Sequence, residues 1–211
     1  MREILIATGN PAKRQEIAAV LGEGAAGVIR WLGLSDLPAA IPEPVEDGNT
    51  FLDNAILKAQ HYARAAGRWA LADDSGLEVD ALGGAPGVHS ARYAGIDGGR
   101  ATVDPANNRK LIEMLRGVPQ PRRTARFRCV LALSDGDKIL ATADGVIEGQ
   151  IIDMPRGAGG FGYDPHFLVP ELGVTTAELP AIEKNRISHR GRALQALRPQ
   201  IERLIAEGIR G

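Results

Sequence analysis

The chain of 211 residues is long enough to bury a sizeable core, which suits one large α/β domain or one domain with two lobes. Hydrophobic residues make up 44% and charged residues 24%, as in ordinary globular proteins, and the net charge is −1. This balance gives no global field that favours a nucleic acid or an anionic membrane, so we expect neither partner and assign any bound polyanion to a local site.

The cysteine content and the apolar runs indicate the cellular compartment of the protein. Cys129 is the only cysteine, so an intrachain disulfide is impossible and we expect a reducing, cytoplasmic setting. It lies in the apolar run CVLAL, which predicts a place in the core. The N-terminal apolar run is too short for a signal peptide, and no stretch approaches about 18 apolar residues, so we expect no leader and no transmembrane helix.

The N-terminal quarter predicts a strand, a helix and a second strand. Residues 2–8 (REILIAT) predict a buried strand that ends in the turn Gly9-Asn10-Pro11. Asn10 suits a helix N-cap and Pro11 a first helical position, so a helix is expected over 11–22. Residues 28–34 form the second candidate strand.

The next segment predicts a capped helix and a strand with an acidic end. Thr50-Phe51-Leu52-Asp53 resembles a capping box and opens a helix that ends at Gly67. Residues 69–72 are a strand that ends at Asp73-Asp74-Ser75-Gly76, and residues 77–103 have the glycine content of a loop.

The second half adds two helices and a hairpin. Asp104-Pro105 predicts a helix start, with an end near Gly117. Residues 124–134 and 138–147 predict a hairpin, and a final helix is expected over 189–208. Alternating strands and helices followed by a hairpin favour an α/β fold with a mixed central sheet and flanking helices.

Two clusters in the first half could carry phosphate chemistry. A strand that turns into a helix at Gly9-Asn10 offers backbone N–H groups to an anion, with Lys13 in the first turn; an ordinary capped helix with a solvated lysine is the alternative. The adjacent carboxylates Asp73 and Asp74 suit magnesium, and on a continuing strand they would point to opposite faces; a simple capped turn is the alternative.

An acidic loop precedes the second helix. It contributes four carboxylates, and Asn54 and Lys58 follow at i, i+4 spacing on one helix face. The loop could supply a second metal ligand if it is buried, or form a solvated surface if it is exposed. Its carboxylates belong to Glu43, Glu46, Asp47 and Asp53.

Two further clusters lie near the C-terminus. Residues 157–162 match the dinucleotide pattern GxGxxG but lead into Pro165 rather than a helix, so we reject that interpretation. The segment could instead cover a flat aromatic ligand with Phe161 and Tyr163, or these rings could be core. Ser188 is a plausible N-cap of the final helix, and three cations would then lie near the N-terminus of that helix: Lys184, His189 and Arg190. These cations could bind an anion, or they could simply be solvated.

Taken in chain order, these segments resemble the inosine triphosphate pyrophosphatase family, and the resemblance covers nearly the whole chain. The segments that carry it are TGNPAK at 8–13, EDGNTFLDNAILKA at 46–59, LADDSGLEVDALGGAPGVHSARYAG at 71–95, GGFGYDPHF at 159–167 and EKNRISHRGRAL at 183–194. The resemblance implies an elongated α/β fold over residues 1–211, two lobes with a nucleotide cleft between them, and a homodimer.

The resemblance also implies a role for individual residues. Glu46 and Asp74 would bind Mg²⁺, and Asp74 and Lys13 would be catalytic, with Asp74 as the proton acceptor. The substrate would be bound by Thr8, Gly9, Asn10, Pro11, Ala12, Lys13, Ser75, Phe161, Gly162, Tyr163, Asp164, Lys184, His189 and Arg190.

The implied reaction is hydrolysis of non-standard purine nucleoside triphosphates, those of inosine, deoxyinosine and xanthosine, to the monophosphate and pyrophosphate. A nucleotide sensor without turnover is the alternative outside enzymes, and a phosphatase that releases orthophosphate is the alternative within them. The acidic pair argues against the sensor, because a pure binder of triphosphate gains nothing from a carboxylate beside the reacting phosphorus.

Overall fold

Seven strands form one sheet in the computed structural model, which describes residues 1–22 and 28–208. Their order in the sheet is β2-β1-β3-β4-β5-β6-β7. β1 pairs in parallel with β2 and β3, whereas β6 pairs antiparallel with β5 and β7. The strands are β1 (Arg2–Ile6), β2 (Ile29–Gly33), β3 (Trp69–Val79), β4 (Thr124–Ser134), β5 (Ile139–Ile151), β6 (Phe167–Val169) and β7 (Val174–Thr175). The predicted mixed α/β sheet with flanking helices is confirmed.

Three of the five helices in the described residues have the bounds that the sequence predicts, one begins earlier than predicted, and one is not predicted. They are α1 (Pro11–Gly22), α2 (Phe51–Ala66), α3 (Arg100–Met114), α4 (Ala181–Ile187) and α5 (His189–Gly208). The predicted bounds of α1, α2 and α5 are confirmed. α3 begins at Arg100 rather than Asp104, because an Arg100–Asp104 ion pair of 2.9 Å spans its first turn and Pro105 is tolerated inside it. α4 was not predicted.

Strand β3 is longer than its sequence pattern indicates. The residues Asp73-Asp74-Ser75-Gly76 were expected to end the strand, but it continues to Val79. Both carboxylates are paired with cations, so they can lie inside a strand, and the side chains of Leu77 and Val79 beyond them are fully buried. The glycine-rich stretch that follows contains short 3₁₀ helices at Asp80–Leu82 and Gly87–Arg92.

The predicted hairpin is confirmed, with a longer second strand. β4 and β5 are neighbours in the sheet and are joined by the turn at 135–138. Asp135 shapes this turn, because its Oδ1 accepts hydrogen bonds from the backbone N–H groups of Asp137 at 3.0 Å and Lys138 at 2.8 Å. β5 then runs to Ile151.

The described residues divide into two compact units. Unit 1 comprises 1–74, 129–145 and the chain from His189 onward, and its core joins side chains of β1, α1, β3, β4, β5 and α5. Unit 2 comprises 75–128 and 146–188, and its core joins side chains of β3, α3, β4, β5 and β6. In the described ranges, no helix is both long and apolar enough to cross a membrane.

In unit 1, the start of α5 lies directly on the backbone of β5 at Gly145. A Cβ atom on Gly145 would lie 2.2 Å from the carbonyl oxygen of His189 and 2.5 Å from the backbone nitrogen of Ala193. Both atoms belong to the helix backbone and cannot give way as a flexible side chain would. The absence of a side chain at Gly145 therefore sets how closely the first turn of α5 approaches the sheet.

Candidate active site

The N-terminus of α1 is closed by the side chain of Asn10. Its Oδ1 accepts hydrogen bonds from the backbone N–H groups of Ala12 at 3.0 Å and Lys13 at 3.4 Å, while the N–H of Asn10 donates to Thr8 Oγ1 at 3.2 Å. Asn10 is thus the N-cap that the sequence predicts. Because two N–H groups of the first turn are already bonded, the attraction for an anion comes mainly from Lys13 and the helix dipole.

Asp73 lies on β3 between two cations of unit 1. Its Oδ2 is 2.9 Å from Lys13 Nζ and 3.2 Å from Arg190 Nη2, and Arg190 also pairs with Glu16. Burial alone would raise the pKa of Asp73, but the charges of Lys13 and Arg190 hold it well below its usual range. Asp73 is therefore a permanent anion that anchors both cations.

Asp74, the next residue, meets different partners. Its Oδ1 is 2.9 Å from Lys58 Nζ and its Oδ2 accepts a hydrogen bond of 3.2 Å from Asn54 Nδ2. Burial raises the pKa of Asp74, and the ion pair with Lys58 offsets only part of this effect. Two adjacent carboxylates thus differ in protonation behaviour, because one is saturated with positive charge and the other is not.

Helix α2 supplies both partners of Asp74 from one face. Asn54 and Lys58 are one turn apart, as their spacing predicts, and Lys58 Nζ also lies 3.2 Å from Glu46 Oε1 in the acidic loop. Burial would lower the pKa of Lys58, but the neighbouring carboxylates raise it, so Lys58 is a cation. The Asn54 side chain also accepts a hydrogen bond of 2.9 Å from the N–H of Gly48, which ties the loop to the helix.

The ion pairs that surround Asp73 and Asp74 contain more negative than positive charge. Within the described ranges they join three cations, Lys13, Lys58 and Arg190, to four carboxylates, those of Glu16, Glu46, Asp73 and Asp74. A group with this balance repels a triphosphate unless a cation accompanies it. It is therefore suited to bind an anion together with a metal ion.

The donors at this site fit magnesium. Among the described residues, no three acidic, histidine or cysteine side chains gather into a complete metal site. Magnesium does not require such a site, because one or two carboxylates, water and substrate phosphate satisfy it. Glu46 and Asp74 are two carboxylates that converge on one ammonium group, and Glu46 keeps 32% of its side chain exposed.

A second polar cluster lies in unit 2 around Asp164. Its Oδ2 is 2.6 Å from Lys184 Nζ and accepts a hydrogen bond of 2.7 Å from the N–H of Phe161. Its Oδ1 accepts a bond of 2.7 Å from Thr176 Oγ1. Both charged groups are buried, and Lys184 Nζ lies 4.9 Å from the centre of the Phe161 ring. The structure therefore joins three of the predicted substrate residues.

The remaining predicted residues have varied surroundings. Tyr163 is buried and its hydroxyl donates to the backbone oxygen of Ser90 at 2.8 Å, so it serves the core of unit 2. Ser75 is half-buried in β3, directly after Asp74. His189 and Arg190 open α5 in unit 1, where both are buried, whereas Lys184 belongs to unit 2.

Sequence reasoning missed several side chains that this geometry brings to the clusters. Glu16 follows Lys13 by three residues on α1, a spacing that could have drawn attention to it. The i, i+4 spacing predicts that Asn54 and Lys58 share a helix face but does not assign them to the site. The roles of Asp104 and Asn108 could not be predicted, because both side chains contact a segment more than 50 residues away.

Comparison with known proteins gives a consistent result. A family model described as the Ham1 family matches residues 4–200. The "dITP/XTP pyrophosphatase" of Geobacillus kaustophilus is 49% identical over 205 residues, covering 97% of each chain, and that of Desulforamulus reducens is 50% identical over 202 residues, covering 96% of each. A solved HAM1 protein from Coxiella burnetii matches with a TM-score of 0.83 and 41% identity, covering 96% of this chain and all of the other.

Proposed function

Because this chain belongs to the Ham1 family, we propose that it hydrolyses the triphosphates of inosine, deoxyinosine and xanthosine to the monophosphate and pyrophosphate. Hydrolysis adds water across the anhydride bond between the α- and β-phosphorus atoms. The site must then bind a polyanion, hold a water molecule and accept its proton.

One observation carries this proposal. Asp73 and Asp74 are adjacent on β3, yet their surroundings shift the two pKa values in opposite directions. Titratable neighbours whose pKa values are pushed apart are typical of acid–base sites. Asp73 provides a fixed charge, and Asp74 has a carboxylate that can take up a proton.

Each charged group around the pair has a role in this proposal. Asp74 accepts the proton of the attacking water, and Lys58 and Asn54 fix the direction of its two oxygens. Lys13, near the N-terminus of α1, adds fixed positive potential for the triphosphate, and Asp73 holds its ammonium group in place.

Glu46 and Asp74 are the residues that would hold magnesium. When bound, the ion neutralises negative charge on phosphate oxygens, which favours departure of pyrophosphate. Lys58 contacts both carboxylates, so it keeps their oxygens directed to one place. The excess of carboxylates in the ion pairs around Asp73 and Asp74 supports this assignment.

Unit 2 supplies the proposed contacts to the nucleoside. The ring of Phe161 is a flat surface on which a purine can stack, and Asp164 and Lys184 hold its backbone and approach its face. His189 and Arg190, which open α5, are the residues that we propose as donors to the 6-oxygen of the base. The family resemblance also supports a homodimer, which sedimentation at several protein concentrations would test, and the single cysteine of the sequence supports a cytoplasmic setting.

The rival functions predict different products. A sensor binds inosine triphosphate without turnover, and a phosphatase releases orthophosphate and the diphosphate first. The adjacent carboxylates of Asp73 and Asp74 favour turnover, because a protein that only binds a triphosphate gains nothing from a carboxylate beside the reacting phosphorus.

The deciding experiment incubates the protein with inosine triphosphate and magnesium and detects pyrophosphate and orthophosphate separately. We expect one pyrophosphate for each monophosphate. Early orthophosphate would establish the phosphatase, and calorimetric binding without any product would establish the sensor.

A further inference from the structure

Both backbone hydrogen-bonding groups of Gly162 are held by side chains of α3. The N–H of Gly162 donates to Asp104 Oδ2 at 3.0 Å, and its carbonyl oxygen accepts from Asn108 Nδ2 at 2.9 Å. Asp104 and Asn108 are four residues apart, so they lie one turn from each other on one helix face. We call these two residues the α3 clasp.

Arg100 extends the same face by one more turn and contacts the neighbouring aromatic ring. Its guanidinium lies 4.7 Å from the centre of the Phe161 ring and 2.9 Å from Asp104 Oδ2. The cation therefore orients the carboxylate of the clasp while it covers part of the ring.

The segment that the clasp holds is rich in glycine. Gly160 and Gly162 both have left-handed backbone, with φ of +70° and +62°, and Gly157 and Gly159 precede them. Glycine loses more conformational freedom on ordering than any other residue, so such a segment needs external contacts to adopt one conformation. Within the segment, Asp164 makes two hydrogen bonds to Phe161, one through Oδ2 and one through its own N–H, and the clasp adds two from a different element.

We propose that Asp104 and Asn108 are positioning residues for nucleobase binding, which they support by fixing residues 160–164 so that Phe161 presents its ring in one orientation. The inference rests on the proposed function, because it assigns the ring to the base. The clasp contacts no group that accepts a proton or binds phosphate in that proposal. Its loss should therefore raise KM for inosine triphosphate and leave kcat nearly unchanged.

The first test measures amide hydrogen exchange in peptides that cover 157–164, which requires no substrate. Asp104→Ala and Asn108→Ala should each speed exchange there by about fivefold, the value of one net hydrogen bond. Arg109→Ala, an exposed change beside Asn108 on the same helix, is the matched control and should leave exchange unchanged. Unchanged exchange in both clasp variants would overturn the proposal.

The second test separates positioning from a general structural role. KM for inosine triphosphate should rise about fivefold in Asp104→Ala and Asn108→Ala, with kcat within twofold of wild type. Asp104→Asn keeps an oxygen that can accept from Gly162 and should restore KM, and it remains informative if the alanine variant fails to fold. Faster exchange with unchanged KM would refute the role in base binding.

The two proposals fail in distinguishable ways. If the wild-type protein hydrolyses no nucleotide, the proposed reaction is wrong, and calorimetry with inosine monophosphate replaces KM as the measure. Weaker binding in the two alanine variants then supports the clasp, and equal binding overturns it.

Discussion

The two aspartates of β3 illustrate how neighbouring residues of one type acquire different chemistry. Asp73 is 2% exposed and held by two cations, whereas Asp74 shares a single ammonium group with Glu46. Alternation along a strand sends the two side chains in different directions, so one residue of offset separates an electrostatic anchor from a proton acceptor.

Replacing Asp74 by asparagine should abolish most turnover. Asp74→Asn keeps the size of the side chain but removes the proton acceptor, so kcat should fall by about 10²–10⁴ while the fold persists. Steady-state kinetics and circular dichroism measure the two effects. Asp73→Asn is the comparison: it leaves buried cations without their carboxylate and should lower the free energy of unfolding by about 3 kcal/mol. Near-normal turnover in folded Asp74→Asn would remove Asp74 from the mechanism.

Arg190 presents a sharper question, because it is 1% exposed and pairs with Asp73 and Glu16. Arg190→Ala should lower kcat/KM for every nucleotide, since Asp73 loses a partner. If Arg190 also donates to the 6-oxygen, inosine triphosphate should lose about tenfold more than adenosine triphosphate, which offers no such acceptor. We expect this additional loss, whereas Phe161→Ala should weaken inosine, adenosine and guanosine triphosphates alike. If Arg190→Ala lowers kcat/KM by the same factor for every nucleotide, Arg190 acts only in its ion pairs with Asp73 and Glu16.

For single residues, the sequence predicts local hydrogen bonds better than pairings between distant side chains. The capping role of Asn10 could be predicted, because it depends on neighbours two and three residues away. The pairing of Arg190 with Glu16 could not, because it joins residues 174 positions apart through the packing of α1 and α5. For the same reason, the ion pair of Lys13 with Asp73 could not be predicted, and the role of Lys13 toward phosphate stays a prediction.

Among the elements, α2 connects local sequence most directly to the candidate site. Its capping box was predicted and is present: Thr50 Oγ1 accepts from the N–H of Asp53 at 3.1 Å, and Asp53 Oδ2 accepts from the N–H of Thr50 at 3.2 Å. The helix that begins there carries Asn54 in its first turn and Lys58 one turn later. Strand β3 could not be predicted as well, because its length depends on cations that come from other elements.

Loss of this cap should destabilise the protein measurably. Thr50→Ala removes the acceptor for Asp53 N–H and should lower the free energy of unfolding by about 1 kcal/mol. Urea denaturation gives the value. Thr102→Ala, at an exposed position within α3, is the control and should change stability by less than about 0.5 kcal/mol. Equal effects of the two changes would argue that the capping box contributes no stability of its own.

For the whole molecule, the sequence predicts the class of fold but not how the chain divides. Alternating strands and helices followed by a hairpin predict the mixed sheet. β3, β4 and β5 each contribute side chains to both cores, a property that appears only once the strands are paired. Cys129 follows the sequence expectation, because its side chain lies fully buried in the core of unit 1.

Cys129 provides a measure of how rarely unit 1 opens. Burial raises the pKa of its thiol to about 12, so at pH 8 it is both protonated and inaccessible. Labelling by iodoacetamide should be about a thousandfold or more slower in native protein than in urea. Leu131→Ala, a cavity-forming change in the same core, should lower the free energy of unfolding by about 2–5 kcal/mol and thereby accelerate labelling of the native protein. Rapid labelling of native wild type would contradict the description of this core.

Gly145 shows that a residue without a reactive side chain can be as sensitive to substitution as the residues of the candidate site. The residue carries no functional group, yet a single methyl there would collide with the backbone of α5 at His189 and Ala193. Relief of that collision would move the first turn of the helix, and with it the guanidinium that neutralises Asp73. An inactivating substitution can therefore arise at a position with no chemistry of its own, where the harm is done by added volume rather than by a lost interaction.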